Sequence, residues 1–446
     1  MKSSTLNPTV TTLPEASQTL RPTVAQIDLD AFARNTARVR ALVGRSARLL
    51  AVVKADGYGH GASEVAGTAV AAGAEVLGVG VLEEGWELRR SGVAAPILVL
   101  GGTLADQAPS VAAGAFEVVL CEVGLAEALS VSGLAAGRRI PVHVKVDTGM
   151  GRLGVQPGEA VDFLDRLAGL DGIEVRALMS HFADAEEPGG DAARQLEIFL
   201  GVAKTLRERG LLPPVLHCAN SGAVLALPDS LLDMARVGIL LYGVSPRAGD
   251  PLEEAIPVMS WKSRVIHINE ADSPRTVGYG RTFRTSGKSR IAVVPMGYAD
   301  GYPRILSNKS DVLIRGRRAP VVGAVSMDML AVSVDHLPEV WAGDEVVLLG
   351  TQGEERVSAE ELADLADSVP YEILCGLSRR VPRVYLEGGR IVRTTYPDAL
   401  FPEGALPPVG AGPDPGGIWG PPEEVVEDSA GGRSGSRPAG KGRRHG

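Results

Sequence analysis

The sequence predicts an α/β protein: a (β/α)8 barrel followed by a mostly β C-terminal domain. Short apolar runs alternate with helical stretches seven or eight times over about 230 residues, the rhythm of strand, loop and helix around a barrel. Polar residues stand alone at the ends of many different strands: Lys54, Lys145, His181, Asn220 and Arg236. Such residues surround one site only when the strands close into a ring, so a doubly wound sheet is the weaker reading. Near residue 250 long helices give way to β-rich runs between Gly-rich turns.

A chain of 446 residues suits two domains. The expected division is an N-terminal extension over 1–20, a barrel over 21–254, a β-domain over 255–390 and a Pro/Gly-rich, disordered tail over 399–446. Net charge is −9, with no basic stripe, which argues against a nucleic-acid partner. There is no run of 18 apolar residues, so no membrane span is expected. Cys121, Cys218 and Cys375 are widely spaced and odd in number, which suits a reducing compartment rather than a disulfide framework. The first 20 residues lack the apolar core of a secretory signal, and the expected location is cytoplasmic.

Order is expected from Thr23. Residues 23–30 alternate apolar and polar as in a half-buried strand, and Asp30 is placed to cap a helix over 31–43. Leu49 to Val53 reads as a buried strand ending at Lys54 and a glycine-rich turn, with a helix over 62–72. Strands follow at 76–79, 97–100, 116–120, 141–146, 173–179, 215–217 and 234–238, with helices around 83–91, 125–129, 158–170 and 191–209. In the second domain, strands are expected at 261–268, 291–294, 311–314, 319–325 and 345–349. Ser358 caps a helix over 359–367, with Glu361 placed to complete a capping box.

Several of these residues carry chemistry. A lysine at the mouth of a buried strand loses water and becomes a better amine nucleophile, able to hold an aldehyde covalently. Lys54 fits this role; it also fits a surface lysine before a turn. Lys145 ends a strand and Arg152 follows seven residues on, where a guanidinium can clamp a planar anion or simply face solvent. His181 is either a packed histidine or a functional one. No HxH or HExxH motif accompanies it, so no metal site is read. Asn220, Ser221 and Gly222 open a helix whose N–H groups suit a phosphate, or else serve only as a cap. Tyr279 lies between Gly278 and Gly280, where a backbone can approach closely, or is simply a β-turn aromatic.

The segments Lys54–Gly61, Lys145–Arg152, Ser180–Ala183, His217–Gly222, Asp233–Ile239, Val277–Arg281, Met296–Gly301, Ser326–Asp328 and Pro370–Ile373 together resemble the bacterial alanine racemases, in that family's order over about residues 23–387. The resemblance implies pyridoxal 5'-phosphate (PLP) on Lys54, with Tyr58 beside the phosphate and Asn220, Ser221 and the N–H groups of Gly238 and Ile239 among the cofactor ligands. It places His181 against the pyridine ring and Arg236 at the ring nitrogen, steadied by His217. A guanidinium keeps its proton, so it donates to an unprotonated nitrogen and weakens the ring as an electron sink. Arg152 is implied near the phenolic oxygen and the substrate, oriented by Lys145, a lysine often carbamylated in the family. Tyr279 is the implied second base, contributed by a partner subunit. Tyr298 belongs to the substrate entrance, Met327 offers its amide to the substrate carboxylate beside Asp328, and Tyr371 reaches the phosphate from across the dimer. Ser326 stands where cysteine is frequent and Gly222 where alanine is common.

The implied activity is PLP-dependent, two-base interconversion of L-alanine and D-alanine by a homodimer with shared active sites, supplying D-alanine for peptidoglycan. The alternatives are a broad-specificity, serine or basic amino-acid racemase, a decarboxylase of similar architecture, and a non-catalytic PLP-binding carrier. Arg236 opposes the decarboxylase, which wants a carboxylate at the ring nitrogen. Tyr279 opposes the carrier.

Overall fold

The computed structural model describes residues 19–185, 189–246 and 255–396. The expected N-terminal extension lies outside the described residues up to residue 18, and the expected tail over 399–446 lies wholly outside them.

The first nine strands are β1 (Val24–Asp28), β2 (Arg48–Val52), β3 (Val76–Val79), β4 (Ile97–Val99), β5 (Glu117–Leu120), β6 (Ile140–Lys145), β7 (Ile173–Met179), β8 (Val215–His217) and β9 (Met234–Val237). Strands β2 to β8 pair in sequence order, all parallel, and β9 returns to pair with β2. Between β8 and β9, the Asp233 N–H donates to Leu216 O (3.0 Å) and the Arg236 N–H to Ala219 O (3.0 Å), bridging the gap in the ring. Leu49, Leu50 and Ala51 of β2 are fully buried, as expected of a parallel strand covered on both faces.

β1 is not the first barrel strand. It pairs antiparallel with residues Met259–Arg264 and parallel with Arg383–Glu387, in the sheet of the second domain. The physical reason is its alternation: Ala25 and Ile27 are buried while Val24, Gln26 and Asp28 are only half-buried, a pattern suited to a sheet with one covered face. The helix that follows, Leu29–Val43, is capped by Asp28 rather than Asp30; the Ala31 N–H donates to Asp28 Oδ1 at 2.8 Å. Phe32 and Val39 on its inner face are buried, each worth about 1.5–3 kcal/mol on leaving water.

The expected strand over 261–268 breaks after Arg264. His267–Ala271 leaves for a three-stranded antiparallel sheet with Ser289–Val294 and Leu330–Ser333. The expected strand over 319–325 is shorter, Arg317–Pro320. Ser358 caps the helix Ala359–Ala366, its Oγ accepting from the Glu361 N–H at 3.1 Å. Glu361 does not complete a capping box; its carboxylate takes Arg318 instead, at 2.6 and 2.9 Å. A second short helix, Pro370–Cys375, carries Tyr371. Among the described residues no helix is long and apolar enough to cross a membrane.

Candidate active site

Lys54 leaves β2 into an unusual turn. Ala55, Asp56, Gly57 and Tyr58 all have positive φ (53°, 55°, 60° and 50°), a left-handed conformation that costs an L-residue about 1–2 kcal/mol. Neighbours over-determine it. The Gly57 N–H donates to Val53 O (2.9 Å), the Gly61 N–H to Asp56 O (2.8 Å) and the Ala62 N–H to Asp56 Oδ1 (3.0 Å). Buried His60 points Nδ1 at Gly57 O and Tyr58 O (3.0 and 2.9 Å). Burial pulls its pKa down to about 4, so it stays neutral. The Glu84 carboxylate accepts from the N–H groups of Ala55 and Gly80, both at 2.6 Å, clipping the turn to the loop after β3. From the second domain, Arg383 Nε donates to Gly59 O at 3.1 Å.

The turn forms one wall of a cavity of about 640 Å³ at the C-terminal ends of the barrel strands. Lys54 and Tyr58 line it from β2's end, Lys145 and Arg152 from β6, and His181 from β7. Asn220 and Ser221 line it after β8, and Arg236, Gly238 and Ile239 at β9. Tyr371 completes it from the same chain, its ring 5.8 Å from that of Tyr58, so it needs no partner subunit to reach this site. The approach at the β9 end is close: a Cβ on Gly238 would sit 2.5 Å from the Tyr58 hydroxyl. Asn220, not Ser221, is the cap of the helix Ser221–Ala226, its Oδ1 accepting from the Ala223 N–H at 2.9 Å. This leaves the Ser221 hydroxyl against the Gly238 N–H (3.0 Å).

The site is crowded with cations. Burial and the Arg152 charge hold the Lys54 ammonium below its ordinary pKa. Lys145, 4% exposed, is pulled down to about 8 by burial and then by Arg236 and Arg152. His181 is driven well below its ordinary range by burial and the same positive neighbours, so it is neutral. Buried Arg236 donates from Nη2 to Ser180 O (2.8 Å), His181 Nδ1 (3.0 Å) and Cys218 O (3.1 Å), and from Nη1 to His217 Nδ1 (2.9 Å). His217 itself is fully buried behind it.

Four expected residues lie elsewhere. Tyr279 (74% exposed), Tyr298, Met327 and Asp328 are exposed on the second domain. Their loops adjoin one another: the Tyr298 N–H donates to Ser326 O (3.0 Å) and the Ala299 N–H to Met327 O (3.0 Å). A Cβ on Gly278, beside Tyr279, would lie 3.1 Å from Ala324 N. Fully buried Asp300 anchors this surface, receiving Arg21 (2.6 Å) and Arg380 (2.7 Å); Arg380 also reaches Asp328 (2.7 Å).

Sequence reasoning missed Glu84, Arg383, Asp300 and two buried residues behind His217, namely His143 and Glu117. The last two left a signal: a charged residue inside the apolar run of β5, and a polar residue two before Lys145 on buried β6. Among the described residues no group of three or more His, Cys, Asp or Glu is placed to hold a metal ion.

As a donor set, the cavity suits an anionic aldehyde bearing a ring nitrogen: an amine of lowered pKa, hydroxyl and backbone donors where the chain approaches closely, and two guanidiniums, Arg152 and Arg236. Comparison with known proteins agrees. Residues 27–246 match the family described as alanine racemase, N-terminal domain, and residues 258–385 the alanine racemase C-terminal domain. The alanine racemase of Symbiobacterium thermophilum is 48% identical over 372 residues, covering 82% of this chain and 97% of that protein. That of Halothermothrix orenii is 44% identical over 376 residues, covering 82% and 97%. The crystal structure of alanine racemase from Bacillus anthracis with bound L-Ala-P superposes with a TM-score of 0.80 at 33% identity, covering 85% of this chain and 99% of that one.

Proposed function

The chain belongs to the alanine racemase family and is a PLP-dependent enzyme that interconverts L- and D-alanine, and on that premise we propose that Lys54 and Tyr279 are its two bases, Tyr279 being supplied by a partner subunit. The observation that carries the proposal is a separation. Lys54 sits in the cavity with every expected ring and phosphate ligand, while Tyr279 of the same chain stands 74% exposed on the second domain. On this reading the chain divides near residue 254 into a cofactor-binding barrel and a domain that presents Tyr279, with β1 crossing into the latter's sheet.

The residues present fit PLP. Lys54 offers the amine that holds the aldehyde. Tyr58, Ser221, the N–H groups of Gly238 and Ile239, and Tyr371 suit the phosphate, with Asn220 shaping the turn that aims Ser221. His181 would lie against the ring, and Arg236 would donate to its nitrogen. When bound, PLP attaches the amino acid through its nitrogen and withdraws electrons from the α-carbon, acidifying the α-hydrogen.

The chain's own groups do the rest. Lys54 Nζ, its pKa lowered by burial and by Arg152, takes the proton from D-alanine, and Tyr279 Oη delivers one to the opposite face. The roles reverse for L-alanine. Arg152 holds the substrate carboxylate, and the Met327 amide, which lies outside this cavity in its own chain, joins it only if supplied, like Tyr279, by a partner subunit. Lys145 is proposed to be carbamylated. A buried amine whose pKa falls to about 8 is in part neutral and nucleophilic; it adds to carbon dioxide and releases a proton, and the resulting carbamate anion offsets two guanidiniums. The enzyme is assigned to the cytoplasm and to the supply of D-alanine for peptidoglycan.

Mixed dimers test the shared site. Lys54→Ala and Tyr279→Phe subunits are each expected to be inactive alone. If each site takes Lys54 from one subunit and Tyr279 from the other, random mixing restores about a quarter of wild-type activity, because half the dimers carry one intact site. No restored activity in dimers shown to be mixed would place both bases in one chain and reject the proposal. Serine, lysine and arginine, assayed beside alanine, test the substrate.

A further inference from the structure

Behind Arg236 a line of polar side chains runs through the barrel interior, and the proposed proton transfers use none of them. His217 Nδ1 faces Arg236 Nη1 at 2.9 Å, and His217 Nε2 lies 2.9 Å from His143 Nδ1. His143 Nε2 lies 2.8 Å from Glu117 Oε2. Glu117 Oε1 accepts from Arg176 Nη1 at 2.6 Å, and Arg176 also pairs with Glu174 (2.9 Å) nearer solvent. His217, His143 and Glu117 are 0%, 2% and 6% exposed, so each bond is made without water to replace it.

Both ends fix the direction of this line. A guanidinium only donates and a carboxylate only accepts. His217 Nδ1 must therefore carry a lone pair and Nε2 the proton. His143 must then accept at Nδ1 and donate from Nε2 to Glu117. Moving either ring's proton sets two donors or two lone pairs against each other in the barrel interior, which is costly. Burial, followed by the Arg236 charge, keeps His217 neutral, as a one-donor, one-acceptor link requires.

We propose that Glu117 and His143 are positioning residues for Arg236: acting through His217, they set which N–H of the guanidinium the protein consumes, and so hold the remaining donors toward the ring nitrogen. The inference rests on the reading of Arg236 as the ring-nitrogen partner. It adds a control point about three side chains away from the cofactor, on strands β5 and β6.

The test uses full-length, PLP-loaded protein labelled with 15N-histidine. Imidazole nitrogen resonances of the wild type are expected to show His143 and His217 both as Nε2–H tautomers. Glu117→Leu removes the acceptor at similar volume. It is expected to mix the His143 tautomers, shift the absorption of the bound cofactor and lower kcat roughly tenfold, with KM for alanine within about twofold. Glu117→Gln keeps a carbonyl acceptor and is expected to restore most of kcat and the spectrum. An Nδ1–H tautomer at either ring in the wild type overturns the proposal. So does a Leu variant with wild-type kcat and spectrum, or a Gln variant no better than Leu. The wild-type resonances and the Gln variant decide the matter even if the Leu variant does not fold. The tautomers are read independently of turnover, so a failed relay is distinguishable from a failed racemase assignment.

Discussion

Replacing Arg383 by Met should loosen the Lys54 turn without altering a residue that lines the cavity. Arg383 is 4% exposed. It donates to four carbonyls: Gly59 (3.1 Å), Ser378 (2.7 Å), Val381 (2.8 Å) and Leu377 (3.0 Å). Met fills a similar volume and donates nothing. At about 1 kcal/mol for each buried carbonyl left without a donor, the low end of the range, the loss is about 4 kcal/mol. Some is recovered, because the guanidinium's own burial is unfavourable: its pKa lies below the ordinary value despite nearby Asp56. The net cost is then about 2–4 kcal/mol. Three of the four bonds hold residues 377–381; the Gly59 bond, about 1 kcal/mol of the total, falls directly on a turn whose three L-residues at positive φ already cost about 1–2 kcal/mol each, so the turn is expected to relax and carry Lys54 with it. Urea midpoints of the PLP-loaded protein should fall, and PLP affinity should drop about tenfold for each 1.4 kcal/mol reaching the site. Arg393→Met is the control, since Arg393 meets Glu64 at 2.7 Å but is 61% exposed and should matter little. An Arg383→Met protein with wild-type midpoint and PLP affinity would refute the idea that the second domain braces the catalytic turn.

Tyr279→Phe should leave unfolding stability within about 0.5 kcal/mol of wild type, because the side chain is exposed within its own chain and only its hydroxyl is removed, while racemisation collapses in both directions. Circular dichroism melts beside the alanine assay check this. Gly297→Ala places a Cβ about 2.3 Å from Met327 O and 2.4 Å from Ser326 O, so the loops carrying Tyr298 and Met327 must separate. We expect a stability loss of roughly 1–3 kcal/mol and a raised KM for alanine. Lys145 gives a pH signature when bicarbonate is excluded. Its folded pKa, about 8, lies below the unfolded 10.5, so the unfolded chain holds the proton more tightly between those values. Stability should therefore rise with pH across that window, and Lys145→Met should remove this share of the slope. With 13C-bicarbonate added, a carbamate resonance should appear in the wild type and be absent from Lys145→Met.

Patterns carried by neighbouring residues were legible in the sequence. The continuous apolar run of β2 specified a strand covered on both faces, and the alternation over residues 24–28 specified one covered on a single face. Lys54, Lys145, His181, Asn220 and Arg236 at the ends of many different strands foretold a ring around one site, because only a closed barrel gathers the ends of all its strands at one face. What lies across from each group was not legible. Only the tertiary structure shows that β1 pairs with residues 259–264 and 383–387, that Arg383 reaches Gly59 across 324 positions, and that Tyr371 enters the cavity of its own chain. The same holds for the left-handed turn at Ala55–Tyr58, which local preference opposes and distant contacts impose. Likewise, His143 and Glu117 become a directed line of hydrogen bonds only when neighbouring β5 and β6 face β8, one strand beyond β7, across the closed barrel. Local sequence encodes burial and backbone preference. The partner of a strand or a buried polar atom is chosen by the whole fold, since desolvation leaves that atom only what the closed barrel places within reach.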